Sequence, residues 1–318
     1  MKVGVVGAGG VGAACVLALA ARASARQVVV VNRTRARARS VAADVRYGAP
    51  LSPREVEVRD GDFQDLSGAA LVMITAGVNE RVGGATDRSD PQGRLRLLET
   101  NAKVYRDVVP RVVEAAPESV LLAVTDPPDP LAELARQLAG HDRVLGTGTF
   151  LDSLRFRVHL AAAAGVSPAD VEALVLGEHG TSEVFVWSGA RIGGVPASEV
   201  LAQLGGWSAA RLRAIEHEVR FANISIIEGN GASLYGIGLV CARIAEMVLR
   251  DERAVVPIAS HVARFGVTLS LPTVMGRSGA LRVLTPALSP EEEQGLQASA
   301  EALRRARVDG GEAQPPGP

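Results

Sequence analysis

Four short stretches of this sequence carry side chains suited to chemistry. In Gly177-Glu-His179-Gly-Thr-Ser-Glu183 a histidine stands in a glycine-flanked segment. With an unperturbed pKa of about 6.5, an imidazole suits proton transfer near neutrality. Upstream, Gly146-Thr-Gly-Thr-Phe-Leu-Asp152-Ser-Leu-Arg155 sets an acid and an arginine three residues apart, which is one face of a helix. A buried carboxylate such as Asp152 would orient His179 and stabilise its charged form. Arg155 can hold a ligand carboxylate with two parallel hydrogen bonds. The third stretch is Gly7-Ala-Gly9-Gly-Val-Gly12. Gly7 allows a tight turn, Gly9 lets a pyrophosphate approach the backbone, and Gly12 lets helix and strand pack. Hydride from a bound nicotinamide, a proton for a carbonyl oxygen and a fixed carboxylate are what reduction of a 2-oxo acid needs.

The fourth stretch concerns which dinucleotide. Where an NAD site usually carries an acid for the ribose hydroxyls, this chain reads Val31-Asn32-Arg33-Thr34-Arg35. Neutral Asn32 removes the repulsion that a 2′-phosphate would meet, and Arg33, Thr34 and Arg35 offer it donors. NADP is therefore expected ahead of NAD. Arginine makes up 32 of the 34 basic residues, so one arginine near any given position carries little weight. The missing acid is the stronger half of the argument.

The elements that must position these groups alternate. Lys2 to Val6 and Gln27 to Val31 read as strands around a helix from Val11 to Arg22, and Arg35 to Val45 reads as helix. Ala70 to Thr75, Ser119 to Val124 and Arg143 to Gly146 read as further strands, separated by helices at Leu95 to Ala116 and Leu131 to Leu138. Uninterrupted apolar strands alternating with helices predict a doubly wound parallel sheet, a Rossmann α/β domain over residues 1–146. From about 147 the pattern changes to an α+β catalytic domain over 147–308. Its helices are expected at Leu151 to Ala164, Ser208 to Gly229 and Ala232 to Leu249, with short strands between and after them. A frayed tail is expected over 309–318.

Composition narrows the partners. A net charge of −1 gives no reason to expect nucleic acid or an anionic membrane, and 47% hydrophobic with 22% charged residues excludes global disorder. Two cysteines make neither a disulfide framework nor a metal cluster, so no metal is expected. The apolar N-terminus is broken by glycines and is too short to span a bilayer; the expected location is cytoplasmic.

The histidine and Asp152 segments, with Thr75-Ala76-Gly77 and Thr125-Asp126-Pro-Pro-Asp129, resemble in order and spacing the motifs of the L-lactate/malate dehydrogenase family. The resemblance runs from Val3 to about Leu249 and, more weakly, to about Arg304. It implies catalytic roles for His179, Asp152 and Arg155, and for Arg94, which matches the family's mobile arginine seven residues before Asn101. Thr75, Ala76, Gly77 and Asn101 then belong to the cofactor side, and Ser233 to the substrate side. A homodimer or homotetramer acting on a small molecule with a carboxylate is likewise implied.

Three departures bear on substrate. Asp126 stands where the family has Asn, and Glu80 stands at the specificity position. The segment from Val78 to Gly93 is about twice the usual length, Gly-rich and polar, as a closing lid would be. Extra acids suit a cationic or iminium group, so an NADPH-dependent imine reductase is the alternative enzyme. A non-catalytic NADP-binding protein is the alternative from another class, and the complete set of His179, Asp152, Arg155 and Arg94 weighs against it.

Overall fold

The computed structural model describes residues 1–83, 85–87 and 93–308, the side chains at 93 and 94 excepted. The central part of the expected lid, the side chain of Arg94 and the expected tail at 309–318 therefore lie outside the described residues.

The first half alternates as its apolar runs require. Strands β1 (Lys2–Val6), β2 (Gln27–Val31), β3 (Glu57–Gly61), β4 (Ala69–Ile74), β5 (Val120–Ala123) and β6 (Val144–Gly146) pair in parallel. Helices α1 (Gly10–Ala21) and α2 (Arg35–Gly48) follow β1 and β2. A single turn, α3 (Glu80–Gly83), and then α4 (Leu98–Ala115) separate β4 from β5, and α5 (Pro128–Ala139) follows β5. Val3, Val28 and Leu71 on one face and Val29, Val72 and Ile74 on the other have no solvent exposure because helices cover both faces of the sheet.

The second half opens with α6 (Phe150–Ala164), then β7 (Val171–Glu172), β8 (Val175–Leu176), β9 (Val184–Phe185), β10 (Arg191–Ile192) and β11 (Val195–Pro196). Helices α7 (Ala197–Gln203), α8 (Ala209–Arg220), α9 (Ala222–Asn230) and α10 (Tyr235–Leu249) follow, then β12 (Val255–Val262), β13 (Val267–Gly276), β14 (Gly279–Val283) and α11 (Pro290–Arg305). The helix expected from Ser208 to Gly229 is two helices that meet at Phe221.

β12 pairs antiparallel with β6 at Ala259 and Gly146, and β13 and β14 extend the ladder. The result is one nine-stranded sheet in the order β14-β13-β12-β6-β5-β4-β1-β2-β3. The Rossmann sheet thus continues into strands of the C-terminal half. α10 returns across the sheet to lie on α1. A Cβ on Gly10 would stand 2.9 Å from Leu234, and one on Gly238 would stand 2.8 Å from the Ala14 carbonyl oxygen. The matching steps of four (10 to 14, 234 to 238) make this a parallel contact, closest where Gly238 meets Ala14.

Candidate active site

The glycine loop sits between β1 and α1. Gly7 has φ +115°, in the region that glycine tolerates, and a Cβ there would lie 2.6 Å from the Ala76 nitrogen. A Cβ on Gly12 would collide with the Gly7 carbonyl oxygen. At Gly9, by contrast, a Cβ would meet nothing within 4 Å. Gly7 and Gly12 are required by the fold, while Gly9 faces open space at the start of α1, where backbone N–H groups lack helical partners. Thr75 Oγ1 donates to the carbonyl of Gly7 at 2.9 Å and braces the loop. The Ala76 carbonyl accepts from Thr125 Oγ1 at 2.9 Å.

The segment after β2 is arranged differently from a simple phosphate cradle. Asn32 Oδ1 accepts from the Ala8 N–H at 3.0 Å and its Nδ2 donates to the Thr34 carbonyl at 3.1 Å, so this side chain braces the glycine loop. Arg35 is drawn to Asp60 at 2.6 Å and Asp62 at 3.5 Å in an exposed cluster at the end of β3. Arg33 is exposed and makes no contact of this kind among the described residues, and Thr34 makes no side-chain hydrogen bond at the start of α2.

Ser270 of β13 brings the proton-transfer groups together. Its Oγ accepts from the Thr149 N–H at 3.0 Å, just ahead of α6, and its backbone exchanges two hydrogen bonds of 2.9 Å with Gly177. Ser153 Oγ accepts from the Val175 N–H at 2.8 Å and ties α6 to β8. These anchors set Asp152 on α6 beside the loop that carries His179. Asp152 Oδ2 accepts from His179 Nδ1, and its Oδ1 accepts from Arg155 Nη1 at 2.8 Å. The Asp152 side chain is 2% exposed, so it is shared between an imidazole and a guanidinium out of water. Asp129, buried at the start of α5, accepts from the His179 backbone N–H at 2.6 Å and fixes the loop from the other side. Ser270, a serine in an apolar strand, and Asp129, the last residue of the Thr125–Asp129 motif, carry no local sequence signal for these positioning roles.

One cavity of about 160 Å³ joins these parts, and its walls include Gly9, Thr75, Gly77, Glu80, Asp126, Arg155, His179 and Ser233. Glu80 is 9% exposed. Leu234 and Ile237, from the start of α10, complete the apolar side. Asn101, expected at the cofactor, does not line this cavity. It is wholly buried, its Oδ1 accepting from the Val78 N–H at 2.7 Å and its Nδ2 donating to the carbonyls of Asp126 and Val78. A Cβ on Gly77 would lie 2.8 Å from Asn101 Oδ1, so Asn101 packs behind the cavity wall and holds it. Arg94 lies in the short helical turn Gly93–Leu97 before α4, and its side chain is outside the described residues.

A parallel sheet with a glycine loop at its carboxyl edge, facing a histidine–aspartate pair and an arginine, defines a nicotinamide-dependent oxidoreductase. Residues 1–146 match the model of the lactate/malate dehydrogenase NAD binding domain, and residues 149–313 match that of the lactate/malate dehydrogenase alpha/beta C-terminal domain. The chain belongs to the lactate/malate dehydrogenase family. It is 44% identical over 305 residues to an L-lactate dehydrogenase of Deinococcus radiodurans, covering 96% of this chain and 97% of that one. It is 44% identical over 315 residues to an L-lactate dehydrogenase of Thermus aquaticus, covering 96% and 98%. Among solved structures, a lactate dehydrogenase from a Medee basin deep-sea metagenome library superposes with a TM-score of 0.88 at 31% identity, covering 96% and 97%. The minor L-lactate dehydrogenase of Enterococcus mundtii superposes with a TM-score of 0.88 at 30% identity, covering 96% of both chains.

The open space at Gly9, in a loop otherwise closed by its own packing, fits the pyrophosphate of such a cofactor. Among the described residues no helix is long and apolar enough to cross a membrane.

Proposed function

We propose that this protein interconverts a small 2-oxo acid and its 2-hydroxy acid, with NADP(H) preferred over NAD(H). The observation that carries the reading is the convergence of His179, Arg155 and the glycine loop on one cavity. Gly9 and the first turn of α1 would hold the pyrophosphate. The nicotinamide, when bound, supplies or accepts the hydride. Arg155 fixes the substrate carboxylate, with one Nη held by Asp152 and the guanidinium plane thereby set. His179, its Nδ1 engaged by Asp152, keeps Nε2 for the substrate oxygen, giving a proton in reduction and taking one in oxidation. Asp152 stabilises the imidazolium in both directions. Arg94, carried by the segment ahead of α4, is assigned to the carbonyl oxygen on the strength of the family match.

Preference for NADP rests on neutral Asn32 and on Arg33, which is exposed without a partner among the described residues. Residues 1–146 then serve as the cofactor half and 147–308 as the substrate half. We also assign the chain to the cytoplasm and to a homodimer or homotetramer, the latter supported by large apolar side chains left exposed on α1, α2 and α10 (Leu17, Tyr47, Tyr235 and Leu239) and checked by light scattering.

The test is oxidation of NADPH and NADH against a panel of 2-oxo acids, each with and without an added amine. Turnover of a 2-oxo acid alone, faster with NADPH, is the expected result. A second reading is favoured by Asp126 and Glu80, two acids on the same cavity. An ionised Asp126 disfavours a developing alkoxide and favours a protonated imine. Turnover that requires the amine would select the imine reductase. In that case Asp126→Asn should cost about 10²-fold in kcat, the scale of one preorganised electrostatic partner, whereas for a 2-oxo acid it should preserve or raise activity.

A further inference from the structure

Besides Asp129, a further carboxylate stands beside the histidine–aspartate pair. Glu183 closes the loop that begins at Gly177, and its side chain is only 2% exposed. One of its carboxylate oxygens, an Asp152 oxygen and a His179 ring nitrogen all lie within 4.8 Å of one another. Its anchor is Arg220 at the end of α8, whose Nε is 3.7 Å from Glu183 Oε1 and whose Nη2 donates to the Glu183 carbonyl at 3.2 Å. The Arg220 guanidinium also lies 5.3 Å from the centre of the Phe185 ring, which limits its freedom to swing away. At 3.7 Å, beyond hydrogen-bond range, the Arg220 guanidinium favours the ionised form of this acid against its burial and the neighbouring Asp152 carboxylate.

We propose that Glu183 is a positioning residue that keeps His179 protonated to a higher pH than Asp152 alone would, and so sets the pH range over which the enzyme reduces its substrate. The inference rests on His179 as the proton carrier. Other charges stand near the ring as well, and Glu183→Gln leaves them in place. Arg155 on α6 works against the charged ring, but its Nη1 is bound to Asp152. Asp129 on α5, which accepts from the residue 179 backbone N–H at 2.6 Å, acts in the same direction as Glu183. Glu178, in the same loop, is turned to the hydroxyl and N–H of Ser182. Asp126 and Glu80 line the substrate side of the cavity and are common to the ring and the ligand. Glu183 and Arg220 act as a unit: loss of the acid removes a negative charge near the ring and leaves a partly exposed cation behind. Both changes push the imidazole towards neutrality.

The test is Glu183→Gln, which keeps shape and removes charge. The His179 imidazole is titrated by NMR in the full-length protein, assigned by its loss in His179→Asn, and kcat/KM for reduction is measured across pH. The NMR midpoint should fall by about one pH unit, and reduction above the wild-type midpoint should fall about tenfold. Adding Arg220→Gln should bring the midpoint part of the way back, because it removes the orphaned cation. If the midpoint moves but the rate profile does not, Glu183 tunes the ring as proposed while His179 loses its role as proton carrier. An unmoved midpoint, with turnover reduced equally at every pH, overturns the proposal and leaves Glu183 as packing.

Discussion

Asp152 is shared, and the sharing decides what its two partners can do. One oxygen takes Nδ1 of His179 and the other takes Nη1 of Arg155, so a single buried carboxylate orients the proton carrier and the carboxylate clamp together. His179→Asn should therefore lower kcat by about 10²–10⁴-fold, the worth of one positioned acid–base group, and leave the NADPH Kd nearly unchanged. Asp152→Asn should slow turnover by a comparable factor and raise KM as well, since Arg155 loses its support. Steady-state kinetics with a fluorescence titration of NADPH separate these effects, and unchanged kcat in His179→Asn places the chemistry elsewhere. At the other end of the cofactor site, Asn32→Asp combined with Arg33→Ile returns the acid and removes the exposed cation. The double variant should reverse the order of Kd for NADPH and NADH; wild-type preference for NADH would remove the basis for the NADP assignment.

Elements bring these residues together through a few tight contacts. α1 leaves the glycine loop and lies parallel to α10, whose first turn supplies Leu234 and Ile237 to the cavity. The approach depends on small residues, with Gly238 against the backbone of Ala14. Gly238→Ala should gain about 1 kcal/mol of helix propensity and lose about 1–3 kcal/mol to overpacking against rigid backbone, so the clash prevails. The expected outcome is a lower Tm by calorimetry with a raised KM for substrate, because α10 shifts at the end that lines the cavity. A raised Tm would mean that the two helices part at no cost.

Across the whole molecule, one buried acid ties the parallel part of the sheet to its antiparallel extension. Glu133 on α5 accepts from Thr268 of β13 at 2.7 Å, pairs with His261 of β12 at 3.1 Å and with Arg136 at 2.9 Å, and meets Arg307 beyond α11 at 3.4 Å. Burial by itself would raise its pKa, but hydrogen bonds from Arg136, Thr268 and His261 prevail and hold it at about 2. The folded value lies below the unfolded one near 4.5, so this stabilisation is fully present above about pH 4.5. It is lost as pH falls towards 2, and the size of the shift corresponds to roughly 3–3.5 kcal/mol. Glu133→Gln should be less stable than wild type at pH 7 by urea unfolding, and the gap should narrow between pH 4.5 and 2. A gap that is constant with pH would assign the loss to packing rather than charge.

What the sequence determined by itself is what short-range pattern controls. The glycine spacing at 7, 9 and 12 demands a tight loop into a helix. The apolar runs at Val3 to Val6 and Gln27 to Val31 demand strands buried on both faces, and Asp152 and Arg155 share a helical face at any register. Each follows from side-chain size, polarity and a period of two or 3.6 residues. β3 escaped this reading because an edge strand with Glu57, Arg59 and Asp60 looks like a loop, and β13 because Ser270 and Pro272 interrupt its apolar run. Only the tertiary structure decided that Arg35 turns to Asp60, that Asn101 is buried behind Gly77, and that Ser270 holds residues 149 and 177 together. These pairs are separated by 24 to 121 residues along the chain. Which of many chemically suitable partners a side chain meets is settled by how the strands and helices stack, and no local spacing carries that information.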